Sequence, residues 1–444
     1  MDGVLQALGF ENYKKREVLV QSFLEELGLF REQLDVQGVP VGCALVVLMA
    51  PSGQLRQPQL LVKELSHCVS LQGCPKIFLL LSSGLKGEWM DSDPSFGEMN
   101  RKAGSCCPTY TAMGWGASPP AAWEPEAFLL HLGKICSQHP HWSLLQLLTE
   151  LFCRVAEESA ENTYCPIFRT SFRGTLCLGD GPWRPESDPG PSTQYDLSGT
   201  RAALLLAVIQ DRLGARHDVA ALRDLCQALG FKVSLRTNPS AQAFREELAQ
   251  FRKKLDTHKG PVSCALVALM AHGGPQGQLL GADGEEVQPE VLVQELSCCQ
   301  ALHGHPKIFL FQACRGGYRD PGVGPRALPW LRAPPAIPTQ ADILQIHADA
   351  PGSLLSTPGG SGQADILTVY AAAEGCVAYR DEKGSDFVQT LVEVIRANPG
   401  RDLLELMTEV NRRVCELDVL GPDSDELRKA CLEIRSSLRR RLCL

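Results

Sequence analysis

At 444 residues, 44% hydrophobic and 21% charged, the chain has the composition of a folded globular protein and exceeds the size at which one core stops growing, so two domains are expected. Its net charge of -8, with no basic stripe beyond Arg439-Arg440-Arg441, argues against nucleic acid as a partner. The longest apolar runs, 41–50 and 262–271, are too short to span a bilayer, and the first residues lack the basic and apolar regions of a signal peptide. No membrane partner is therefore expected, and the location is expected to be cytoplasmic, with the nucleus as a further site. The eighteen cysteines read as reduced thiols there, and no paired C-x-x-C pattern suggests a metal or another cofactor.

In chain order, the first elements reveal a repeat. Gln6-Ala7-Leu8-Gly9-Phe10 recurs as Gln227-Ala228-Leu229-Gly230-Phe231, and Cys43-Ala44-Leu45-Val46 as Cys264-Ala265-Leu266-Val267, both displaced by 221 residues. Pro75-Lys76-Ile77-Phe78-Leu79 returns as Pro306-Lys307-Ile308-Phe309-Leu310, and Leu176-Cys177-Leu178 as Leu442-Cys443-Leu444. The first copy covers residues 1–178. Residues 179–193 form a Gly/Pro-rich linker, and the second copy covers 194–444. The first copy starts late, with no counterpart of residues 196–223.

In the second copy, 202–209, 262–271 and 307–311 are apolar runs broken only by Ser263 and Lys307, which fits strands buried on both faces of a parallel sheet. Helical spacing separates them over 219–226, 244–255 and 291–296. After a Pro/Gly-rich stretch to residue 362 come a strand over 366–370 and two helices, the second carrying an apolar stripe over 403–414. Alternating strands and helices predict an α/β fold: a mostly parallel central sheet flanked by helices on both faces, present twice, with the first copy truncated and degenerate.

Two residues at strand ends carry chemistry. Cys314 lies in Gln312-Ala313-Cys314-Arg315-Gly316, directly after one apolar strand, and His272-Gly273-Gly274 directly follows another, 42 residues upstream. Ligands of parallel sheets gather at the carboxyl ends of the strands, so neighbouring strands would bring thiol and imidazole into one crevice. The histidine takes the thiol proton and later protonates the leaving amine. The backbone amides of Gly273 and Cys314 are candidates for holding an oxyanion. Taken singly, a cysteine among eighteen is a small hydrophobe and a histidine after a strand is a polar turn residue; the five-residue motif at this spacing sets the pair apart.

On these residues the second copy resembles the caspases, cysteine endopeptidases that cut protein substrates after aspartate. Tyr195-Asp196-Leu197-Ser198-Gly199 and Pro261-Val262-Ser263-Cys264-Ala265 are similar to the short-prodomain branch of that family. The resemblance implies a caspase-like fold and proteolysis in apoptosis or differentiation. It also implies a zymogen with a large subunit over 194–320, a linker over 321–362 and a small subunit over 363–444. It assigns the P1 aspartate to Arg212, Gln312 and Arg380, and the S2 pocket to Tyr379. Asp349 is the candidate processing site, since Pro321 disfavours cleavage after Asp320.

Two features depart from the family. Asp386 stands where many members carry an uncharged pocket residue, and should repel acidic substrate side chains. Gln340-Ala341-Asp342-Ile343-Leu344 recurs as Gln363-Ala364-Asp365-Ile366-Leu367, so two segments compete for one strand position; the later is expected to win it because it leads into Arg380.

In the first copy Pro51 aligns with His272, Ser83 with Cys314 and Gly84 with Arg315, so no catalysis is expected there. Family members dimerise through the last strands of their small subunits, and both copies keep that segment, at 165–178 and 431–444. The resemblance thus implies a pseudo-dimer within one chain or a homodimer through the C-terminal strands. A second function class fits the same residues: a weakly active or inactive caspase-like regulator that dimerises with another caspase.

Overall fold

The structure, a computed structural model, describes residues 5–6, 9–15, 22–37, 41–51, 58–83, 125–158, 165–178, 193–274, 276–322, 336–348, 364–421 and 424–444. Among these, ten strands form one sheet: β1 (Ala44–Pro51), β2 (Lys76–Ser83), β3 (Ile167–Thr170), β4 (Thr200–Ala207), β5 (Phe231–Thr237), β6 (Val262–Met270), β7 (Lys307–Gln312), β8 (Ile343–Ala348), β9 (Ile366–Tyr370) and β10 (Glu433–Ser436). Their order across the sheet is β1-β2-β8-β3-β10-β9-β7-β6-β4-β5. Helices α1 (Phe23–Gln37), α2 (Pro58–Ser66), α3 (Pro125–Gln138) and α4 (Leu144–Glu158) belong to the N-terminal half. The C-terminal half contributes α5 (Ala215–Ala228), α6 (Ala241–Asp256), α7 (Pro289–Ser297), α8 (Asp386–Ala397) and α9 (Leu403–Glu416). None of these helices is long and apolar enough to cross a membrane.

The apolar runs become strands because both faces of the sheet are covered. Every residue of β6 is buried. Cys264, Leu266, Ala268 and Met270 face the side of α5 and α8, while Ala265, Val267 and Leu269 face α6 and α7. With both faces covered, this period-two alternation favours an apolar residue at nearly every position, Ser263 being the exception in β6. Capping fixes where the helices begin: Ser385 Oγ accepts the Val388 N–H at the head of α8, and the Asp402 carboxylate accepts Leu404 and Glu405 N–H at the head of α9.

The two halves share one core. Leu147, Leu151, Phe152 and Phe168 of the N-terminal half lie in the same buried cluster as Leu404, Met407, Val410 and Ile434 of the C-terminal half. At their junction β3 and β10 pair antiparallel, with Ile434 opposite Thr170 and Arg435 opposite Arg169.

The strand β8 alters the expected layout. Residues 340–344 do not compete with 363–367 for a position, and the stretch 321–362 is not connector throughout. The segment leading into Arg380 forms β9, between β7 and β10, whereas β8 lies between β2 and β3 of the N-terminal half. Each position has its own matching set of partners. Lys76 N–H donates to the Asp342 carbonyl at 2.8 Å, and Lys307 N–H to the Asp365 carbonyl at 2.9 Å. Ser171 Oγ accepts Ile343 N–H as Ser437 Oγ accepts Ile366 N–H, both at 3.1 Å. Arg173 pairs with Asp342 and Arg439 with Asp365, both at 2.5 Å. The two aspartates turn the chain with left-handed φ of 61° and 62°.

Candidate active site

The parallel strands β6 and β7 pair through Met270 opposite Gln312, so the residues two further on, His272 and Cys314, leave the sheet side by side. Ala271 N–H donates to the Gln312 carbonyl at 3.2 Å, holding the two exits together. Gly273 packs directly on the Cys314 backbone: a Cβ there would fall 1.7 Å from the Cys314 carbonyl oxygen. Only glycine fits, and the two amides assigned to the oxyanion are therefore neighbours.

The Asp211 backbone and carboxylate act on His272 in the direction that favours its protonated form. Burial, then the charges of Arg380 and Arg212, lower its pKa below the ordinary 6.5. Cys314 Sγ lies 3.7 Å from the Ala378 carbonyl. The loop carrying Cys314 is clamped on its far side. Arg315 is buried, bonds Glu433 at 2.8 Å and lies 4.2 Å over the Tyr370 ring, while Gly316 at φ 154° touches the Gly375 backbone.

Beside the thiol lies a basic pocket. Arg212 is 5% exposed; its Nη1 donates to the Val208 carbonyl at 2.8 Å and its Nη2 to the Gln312 carbonyl at 3.3 Å, leaving Nε buried and unpartnered. Gln312 is 3% exposed, with its amide oxygen likewise unpartnered. Burial and the neighbouring Arg380 charge bring the Arg212 pKa down to about 10, and burial lowers that of Arg380. Arg380 sits on a short hairpin, Arg380–Asp381 against Gly384–Ser385. Tyr379 precedes it, half-buried, with its hydroxyl unpartnered.

Three residues at the site escaped sequence reasoning. Asp211 acts in part through its backbone, and its left-handed φ of 53° is invisible in a sequence. Asp218 is buried, accepts Ser385 N–H at 2.9 Å and the Gln389 amide at 3.3 Å, and so ties the Arg212 loop to the Arg380 hairpin. Glu433 lies 118 positions from its partner Arg315.

Asp386 opens α8 just past the hairpin, and burial, then Asp381 and Asp218, raise its pKa. Asp320 is 3% exposed, accepting Gly322 N–H at 2.9 Å and both the N–H and hydroxyl of Thr339 at 2.8 and 2.9 Å, so it is closed to a protease in this fold. Asp349 lies outside the described residues. In the N-terminal half, β1 and β2 pair through Pro51 opposite Ser83, the counterparts of His272 and Cys314. Among the described residues no group of His, Cys, Asp and Glu is arranged to hold a metal.

The caspase domain family matches residues 200–442. Caspase-14 of Homo sapiens is 41% identical over 258 residues, 56% of this chain and 96% of that protein. Caspase-14 of Mus musculus is 38% identical over 278 residues, 58% of this chain and 98% of that protein. The crystal structure of Caspase-1 from Spodoptera frugiperda covers 59% of this chain and 95% of that one, at 24% identity and a TM-score of 0.45.

Proposed function

The chain belongs to the caspase family, and on that premise we propose that its C-terminal half is a cysteine endopeptidase cutting proteins after aspartate, with Cys314 as nucleophile and His272 as acid and base. The observation that carries this reading is the unbalanced positive pocket beside the thiol. Arg212 Nε is buried without a partner, Arg380 adds a second guanidinium, and Asp218, the carboxylate whose charge acts on both, is engaged by Ser385 and Gln389. A substrate carboxylate fits two planar forks better than any neutral side chain, and it would draw the Gln312 amide N–H toward itself.

In this mechanism the thiol proton passes to His272 and the sulfur attacks the scissile carbonyl carbon. The oxyanion rests on the Gly273 and Cys314 amides. His272 returns the proton to the departing amine, then takes one from the water that hydrolyses the thioester. The substrates are proteins of a cell-death or differentiation programme. The N-terminal half supplies no chemistry, since a proline and a serine stand at the two key positions. It serves as a built-in dimer partner, a role supported by β3 seated on the β10 edge and by the shared core.

The test is labelling of the whole chain with an aspartyl fluoromethylketone beside Cys314→Ala. Labelling confined to the unsubstituted chain is expected. Labelling that is absent, or that persists in Cys314→Ala, overturns the protease reading and favours the regulator.

A further inference from the structure

The strand β8 comes from the C-terminal half, yet both its neighbours belong to the other half. It pairs in parallel with β2 over six positions, Ile343 opposite Lys76 to Ala348 opposite Leu81, and antiparallel with β3 over four. In the order β1-β2-β8-β3, it is, among the described residues, the only strand through which β1 and β2 join the rest of the sheet. Ile343, Leu344 and Ile346 are buried.

The receiving slot is fitted to this segment. Lys76, Ser171 and Arg173 meet Asp342 and Ile343 just as Lys307, Ser437 and Arg439 meet Asp365 and Ile366. Asn411 of α9 donates to the Ser171 and Phe172 carbonyls at 2.8 and 3.1 Å, bracing the slot from the other half. Just before β8, Thr339 is bound by Asp320, six residues past Cys314. The nucleophile loop is therefore anchored at the entrance of a strand embedded in the N-terminal half.

We propose that residues 340–348 are a donor strand and that the β2–β3 slot of the N-terminal half is its acceptor. The partner this slot fits is the large-subunit fragment of the same chain. Cleavage anywhere in 349–363 then leaves β8 in place on the fragment that also carries β2 and β3, and a second cut in 179–192 turns this intrachain pairing into an interface between fragments. Processing does not free the N-terminal half. The proposal rests on the two-half reading above, but not on protease activity.

The test uses the full chain carrying Cys314→Ala, with sites for an unrelated protease placed in 179–192 and in 349–363 and an affinity tag on the central fragment. After both cuts, the N-terminal fragment should be captured with the central one. Amide exchange should remain slow in 76–83. Adding Ile346→Pro, which removes a ladder N–H from an interior strand, should speed exchange in 76–83 by about 100-fold or more. Exchange in 262–270 should stay slow, showing that the C-terminal half still folds. Asp342→Ala, a milder change, should raise exchange in the same segment to a smaller extent.

Separation of the N-terminal fragment from the unsubstituted cut chain overturns the proposal. So does exchange in 76–83 that neither substitution changes. Failure of the aspartyl probe to label the unmutated chain, with the cut particle intact, would instead sink the protease reading alone.

Discussion

His272 works in the field of two guanidinium groups. Burial and the Arg380 and Arg212 charges hold its pKa below 6.5, opposed only by Asp211. In the free enzyme the imidazole therefore stays a base to lower pH than usual, and the acid limb of kcat/KM should lie below 6.5. An aspartate seated between Arg212 and Arg380 cancels part of their charge, so the acid limb of kcat should lie at higher pH than that of kcat/KM. A pH series with a P1-aspartate peptide checks this; limbs in the opposite order contradict it. Arg212→Lys keeps the charge but loses the fork, and should lower kcat/KM about 100-fold, mostly through KM. The proposed dyad, His272 and Cys314, could be picked from the sequence as side chains in a spaced motif, and Arg212, Gln312 and Arg380 as positions that the family resemblance implies. The Asp211 backbone contact, the Asp218 tie and the Arg315–Glu433 clamp could not, since a backbone atom has no letter and the two pairings span 167 and 118 positions.

Among the elements, β8 carries a buried titration. The His347 Nε2 is enclosed without a partner, and burial, then Arg169 and Arg435, push its pKa down to about 3. Unfolded, the same imidazole takes a proton near 6.5. As pH falls through the window between those values the unfolded chain binds a proton that the folded chain refuses, so stability drops. By pH ~5 the loss should reach about 1–2 kcal/mol, and His347→Gln should remove it. Urea midpoints at neutral and acid pH check the prediction; equal acid losses in both proteins contradict it. β4, β6, β7 and β9 were readable as apolar runs because both faces are covered. β5 was not, since it is an edge strand, Phe231-Lys232-Val233-Ser234-Leu235-Arg236-Thr237, exposed over most of its length. The repeated Gln-Ala-Asp-Ile-Leu segments pointed to two candidates for one strand position, but repetition says nothing of a second position in the other half. That depends on Arg173 and Ser171 lying about 170 residues away.

At the scale of the molecule, the β10 edge that family members use to dimerise is taken by β3 of the same chain. The account therefore expects a 48.4 kDa monomer with one active site, whose specific activity does not change on dilution. Sedimentation beside a dilution series tests this, and activity that falls with dilution as a dimer appears or dissociates contradicts it. The repeated segments were visible in the sequence, whereas the single sheet crossing both halves was not, because it depends on a strand of one half seated between strands of the other. The central claim is that one half of this pair cuts after aspartate. It is tested most directly by kcat/KM of the whole chain on a peptide with P1 aspartate and on the same peptide with isosteric asparagine. The account predicts a preference for aspartate of about 100-fold or more, from charged hydrogen bonds lost in a buried pocket, and no cleavage by Cys314→Ala. Equal cleavage of both peptides, or cleavage surviving in Cys314→Ala, would contradict it.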